Sequence, residues 1–150
     1  MFDLNDKNKS AYKLKGIGPI YYLNLDGQPD RKEYMESQFK YWEIENYTRI
    51  SAYDGREDDL SDILTGRYPE MMTSGEIGCI TSHLKAIKHW YETSDSQYAI
   101  MMEDDCSLDL VRYWNFTWQI FMQTFLMTGI SYRLLLFVPE IFTLNFTKDL

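Results

Sequence analysis

Tyr98-Ala99-Ile100-Met101-Met102-Glu103-Asp104-Asp105 is the stretch that decides the fold. An apolar run of this length reads as a buried strand, and it stops abruptly in three acids. Buried strands of continuous apolar character belong to parallel sheets covered on both faces. In open α/β sheets, ligands sit at the carboxyl ends of such strands. Three adjacent carboxylates repel one another, and a divalent cation relieves that repulsion. Hard oxygen ligands favour Mg²⁺ or Mn²⁺ over zinc or copper. In an extended segment Glu103 and Asp105 point one way and Asp104 the other. The plain alternative is a solvated acidic turn after a strand.

Upstream, the pattern alternates strand and helix. Gly18-Pro19 opens a second apolar run, Ile20 to Leu25, closed by the turn signals Asp26-Gly27 and Pro29. Asp30, with Glu33 at the reciprocal position, predicts a capped helix from Arg31 to about Trp42. Tyr34, Met35, Gln38, Phe39 and Trp42 fall along one side of it. A short strand is predicted near Tyr47–Ala52, ended by Asp54-Gly55. An acidic connector, Glu57 to Asp62, follows. Thr73-x-x-Glu76 is a capping box that opens a helix over about Ser74 to Glu92, with Ile77, Ile80, Leu84, Ile87 and Tyr91 as its apolar stripe. The third strand is predicted over Gln97–Met102. Strands alternating with helices imply an α/β sheet, mostly parallel.

Composition bounds the function. The 150 residues suit one domain. Hydrophobic residues at 45% and charged residues at 25% exclude a disordered or collagen-like chain. A net charge of −8 disfavours nucleic acid and anionic membranes as partners. Cys79 and Cys106 form no C-x-x-C pair and no zinc spacing, so both read as free, largely buried thiols of a reducing compartment. The polar N-terminus carries no apolar signal segment, which implies a cytoplasmic protein. Residues 1–15 read as frayed.

Three further positions invite chemistry. His83, with Cys79 and Glu76 on the same helix edge, could donate to a phosphate or orient a carboxylate, although a hydrogen-bonded core histidine is the commoner outcome. Gly75 and Gly78 allow close approach near a helix N-terminus that favours anions. Asn24 at a strand end and Arg31 at a helix start could grip a base or pyrophosphate. Asp54 fits a turn residue as well as a ribose contact. His89 reads as a surface residue.

Taken in order, Ile20–Asp26 with Asp30-Arg31, Thr48–Gly55, Thr73–Cys79 through Ser82-His83, and Ile100–Asp105 resemble the family 25 glycosyltransferases. That family includes lipooligosaccharide galactosyltransferases and the collagen galactosyltransferase domain. The resemblance implies a GT-A-like (Rossmann-like) fold, a UDP-sugar donor (often UDP-galactose), a glycan or protein acceptor, and Mn²⁺ or Mg²⁺. It places the metal on Glu103 and Asp105. It places Asn24, Arg31, Asp54, Ser82, His83 and Asp104 at the donor. It names no catalytic base.

The resemblance stops near Gln119. Residues 1–112 hold 13 basic and 21 acidic groups, whereas residues 113–150 hold only Arg133, Lys148, Glu140 and Asp149. Tyr113 to Tyr132 is uncharged, but Asn115, Thr117, Gln119, Gln123, Thr124, Thr128 and Ser131 interrupt it, so no membrane span is expected. The family's usual L-P-x-D-W-D-I segment is missing. Reading Ile120–Arg133 one base earlier allows DFYANLPYDWDIVQ, which contains it. The expectation is therefore a polar segment over 1–17, the N-terminal part of a family 25 domain over 18–119, and an aberrant, frame-shifted tail over 120–150, leaving the fold incomplete. The competing functional readings are a truncated nucleotide-sugar-binding fragment without catalysis, and a Mg²⁺ phosphohydrolase with Asp104 or Asp105 as nucleophile.

Overall fold

The computed structural model describes residues 8–64 and 71–127. Most of the segment read as an aberrant tail lies outside these residues. Strands β1 (Ile20–Asn24), β2 (Tyr47–Ser51) and β3 (Ile100–Glu103) form one parallel sheet in the order β2-β1-β3. Helix α1 (Pro29–Tyr41) links β1 to β2, α2 (Ser74–Thr93) links β2 to β3, and α3 (Trp118–Met127) follows. The chain leaves β1 toward one neighbour and returns to the other. The first crossover leaves the carboxyl end of β1 for β2, the second leaves β2 and passes β1 to reach β3, and all three strands end at one edge of the sheet, where open α/β sheets bind ligands.

Period-two alternation sorts the sheet's side chains onto two faces. Ile20, Tyr22, Ile100 and Met102 pack with Met35, Phe39 and Trp42 on the α1 side. Tyr21, Leu23, Ile50 and Met101 pack with Ala86 and Trp90 on the α2 side. Gln38 is fully buried within the first core. Its amide donates to the Cys106 carbonyl (2.7 Å) and its carbonyl accepts from the Leu108 N–H (2.8 Å), which ties the loop after the acidic turn to α1. Trp118 is buried in the same core, with Phe121 and Met122 partly buried against it, so α3 packs across the Gln119–Ile120 junction. No helix among the described residues is long and apolar enough to cross a membrane.

Several local expectations are corrected. Helix α1 begins at Pro29 behind Gln28, and Asp30 sits inside the first turn without capping it. Proline at the first helical position supplies the required φ and has no N–H to satisfy. Strand β3 starts at Ile100 rather than Gln97, because its partner β1 starts at Ile20 and the two are in register. Residues 8–15 are not frayed. Ala11–Leu14 form a 3₁₀ turn with Leu14 buried, and the Lys13 ammonium donates to the carbonyls of Arg112 (2.8 Å) and Trp114 (2.6 Å). Cys106 is a buried free thiol, but Cys79 is exposed.

The predicted apolar stripe of α2 holds only in part: Ile87 packs against the second core and Ile77 is half-buried. Ile80, Leu84 and Tyr91 are exposed, while Gly78, Thr81, Ser82, His83, Ala86 and Trp90 are buried. At Gly78 the helix lies so close to the chain leaving β2 that no side chain fits between them, whereas further along it buries Ala86 and Trp90 in the second core. Ideal Cβ atoms built on Gly78 and Gly55 show the clash: the first would stand 2.5 Å from Gly55 N, and the second 1.9 Å from the Ser74 carbonyl. In the first half of α2, size rather than hydrophobicity sets which residues are buried. The capping box is as expected: Thr73 accepts from the Glu76 N–H, and Glu76 accepts from the Thr73 N–H.

Candidate functional site

The three strand ends bring Asn24, Ser51 and Glu103 to one edge of the sheet. Asn24 is buried and acts as a junction. Its amide donates to Asp104 Oδ2 (2.7 Å) and to the Gln28 carbonyl (3.0 Å), and its side-chain carbonyl accepts from Arg49 Nε (2.8 Å). Arg49 also donates to Asp26 Oδ1, and the Ser51 hydroxyl donates to Asp26 Oδ2 (2.9 Å). The hydrogen bonds from Arg49 and then Ser51 hold the Asp26 carboxyl below its ordinary range.

The three acids diverge. Asp104 is buried, and Arg31 donates to its Oδ1 (2.9 Å) while Asn24 holds its Oδ2. Asp105 is more exposed and lies 3.6 Å from Arg31. Glu103 turns to the other side, toward α2. Its Oε1 accepts from the Cys79 thiol (3.4 Å) and stands 3.3 Å from His83 Nε2. The hydrogen bond with His83 holds the Glu103 carboxyl low, against the opposing effect of burial. Burial, followed by the Glu103 charge, pushes the Cys79 thiol up to about 11.

On the β2 side, Arg56 grips Asp54 with two 2.9 Å bonds, one to each oxygen, and lowers its pKa. The Ser82 hydroxyl accepts from the Tyr53 N–H (2.8 Å) and donates to the Gly78 carbonyl (2.6 Å), pinning the β2 exit to α2. Lys85 lies 4.4 Å above the Tyr53 ring and donates to the Ser51 carbonyl.

A cleft of about 160 Å³ opens between these groups. Asn24, Arg31, Asp54, Ser82, Glu103 and Asp104 line it, together with Arg56, Gly75 and Cys79. His83 stands behind it, buried against Glu103. Asp105 is not among its lining residues. An adjoining depression of about 640 Å³ runs past Asp26, Tyr53, Arg56, Asp58 and Lys85. Arg49 and Arg56 were not singled out from the sequence. Their signal is weak there, since a lone arginine in a strand or turn is ordinary. Only the sheet register, which places Arg49 opposite Tyr22 and two residues from the Asn24–Ser51 pair, reveals the first of them.

Residues 17–118 match the family model described as glycosyltransferase family 25 (LPS biosynthesis protein), and the chain belongs to that family. The match spans all three strands and the cleft. A search of curated proteins found no match.

Proposed function

We propose that this family 25 glycosyltransferase binds a UDP-sugar in the cleft at the carboxyl end of β1 and β3, with galactose as the transferred sugar, within a GT-A-like fold. The acceptor is a hydroxyl of a glycan or protein. The observation that carries the reading is the convergence of Asn24, Arg31, Asp54, Ser82, Glu103 and Asp104 on one cleft at the carboxyl ends of the parallel strands.

The residues suit an anionic donor. Arg31 is half-exposed at the cleft and already oriented by Asp104, so its fork is positioned for a diphosphate. Gly75 lies in the first turn of α2, where backbone N–H groups favour phosphate. A divalent cation fits by donor chemistry. Asp104 is committed to Asn24 and Arg31, and Asp105 stands by Arg31 outside the cleft rather than on the side of Glu103. The carboxylate that would hold Mn²⁺ or Mg²⁺ in the cleft is therefore Glu103, with Asp105 a ligand only if the acidic turn rearranges. When bound, that ion offsets charge on the departing diphosphate. Transfer also requires a base that takes the acceptor's proton. The buried Asp104 is tied up in hydrogen bonds and does not suit a phosphohydrolase nucleophile.

The test is thermal denaturation with UDP-galactose and Mn²⁺, followed by transfer of labelled galactose to acceptor glycans. A donor at about 100-fold its Kd should stabilise by about 2.7 kcal/mol. For a chain of this size that raises Tm by roughly 5–10 °C. Arg31→Ala should abolish the rise. No shift with donor and metal together would refute the reading, and a shift without transfer would reduce it to binding alone.

A further inference from the structure

We propose that Cys79, His83 and Glu103 form a three-ligand site for a thiophilic divalent cation of the Zn²⁺ type. The Cys79 Sγ, a ligand nitrogen of His83 and a carboxylate oxygen of Glu103 all lie within 4.8 Å of one another. Two of the separations are resolved: Sγ to Oε1 is 3.4 Å, and Nε2 to Oε1 is 3.3 Å. A tetrahedral zinc ion with bonds of about 2.3 Å to sulfur and about 2.0–2.1 Å to nitrogen or oxygen needs ligand–ligand edges of roughly 3.3–3.6 Å. Both resolved edges already have that length.

The scaffold holds the three groups from two directions. Cys79 and His83 are four residues apart on α2 and share a helix face. Glu103 ends β3, in register with Leu23 of the central strand. The His83 side chain is only 11% exposed, so its ring has little room to turn away. The donor set is sulfur, nitrogen and oxygen. A thiolate discriminates against Mg²⁺ and Ca²⁺, and Zn²⁺ binds such sites more tightly than Mn²⁺. Binding releases the Cys79 thiol proton to solvent, and the metal replaces the present thiol–carboxylate hydrogen bond. Three protein ligands leave a fourth position for water or a ligand, as in zinc sites that do chemistry. Cys79 and Glu103 both line the cleft, so that position has access to it.

This site does not rest on the donor reading, but it shares Glu103 with it. Zn²⁺ and the cation of the donor site therefore compete for one carboxylate. The test reads metal alone, without donor, so the two proposals fail separately. The full chain is titrated with Co²⁺ as a spectroscopic stand-in, then with Zn²⁺ against a chromophoric chelator. The expected result is one equivalent bound, with a thiolate-to-cobalt charge-transfer band that Zn²⁺ displaces. Cys79→Ser should abolish the band and weaken Zn²⁺ binding by no less than the roughly 10–100-fold that loss of an outer-shell partner costs. Protection offers a readout without any variant: Zn²⁺ should shield Cys79 of the wild-type chain from alkylation. Absence of the thiolate band, unprotected alkylation, or unchanged affinity in Cys79→Ser would each overturn the proposal. Binding lost in Asp105→Asn but kept in Cys79→Ser would place the ion on the acidic turn and overturn it too.

Discussion

Gly78→Ala probes the contact that aligns α2 with the cleft. A Cβ at this position would lie 2.5 Å from Gly55 N and 2.8 Å from the Tyr53 carbonyl, both backbone atoms that cannot rotate away. Ordinary contact begins at 3.4 Å, so the helix and the loop must separate by about 0.9 Å. The Ser82 hydroxyl sits one turn further along and accepts from the Tyr53 N–H at 2.8 Å. The same displacement stretches that bond to about 3.7 Å, beyond hydrogen-bonding range. Overpacking costs roughly 1–3 kcal/mol and the lost hydrogen bond about 1 kcal/mol. Alanine's higher helix propensity returns up to about 1 kcal/mol. The net loss is about 2 kcal/mol, a Tm decrease of roughly 4–8 °C for a chain of this length. Gly75→Ala is the control, one turn earlier on the same helix, where a Cβ meets nothing within 4 Å. It should be neutral or stabilise by up to about 1 kcal/mol. Thermal denaturation of the two variants by circular dichroism decides the matter. Equal Tm values would refute the close-packing argument, and with it the account of why α2 buries small residues.

Other perturbations have defined outcomes. The Glu103 carboxyl is held below its ordinary value near 4.5, so its contribution to stability is complete above that pH and is lost as pH falls through the lower folded value. The Tm difference between wild type and Glu103→Gln, followed from about pH 7 to about pH 3, should shrink at the acid end, and a widening difference would contradict the assignment. Cys79, although exposed, should alkylate slowly near neutral pH because its thiol is pushed up to about 11, and Glu103→Gln should accelerate the reaction by removing the neighbouring charge. An unaltered rate constant would show that Glu103 does not act on the thiol. Lys13→Met should lower stability by about 1–2 kcal/mol and expose the N-terminal segment to limited proteolysis, since its ammonium holds the carbonyls of Arg112 and Trp114. Unchanged protease resistance would show that the segment is anchored by Leu14 alone.

The α/β alternation was legible in the residues because each element carries a local signature. The apolar runs at 20–25 and 98–102 report burial on both faces, the Thr73–Glu76 capping box is satisfied within one turn, and the Glu103–Asp105 acids mark a strand end. Family membership was legible for a related reason: ordered blocks of residue types survive in one dimension. The cleft's membership was partly legible, since strand ends and helix starts of a parallel sheet converge whatever the loops do.

The tertiary structure alone decided the rest. Whether Asp104 faces Arg31 while Glu103 faces His83 depends on which helix covers which face of the sheet, and no spacing along the chain encodes that. The pairing of Arg49 with Asn24 depends on strand register. The buried side of the first half of α2 was set by the approach of Gly55 to Gly78, a steric condition between segments 23 residues apart that outweighs the pull of Ile80 and Leu84 toward a core. The cluster of Cys79, His83 and Glu103 escapes any spacing rule, because its third ligand comes from a strand that the helix meets only after folding.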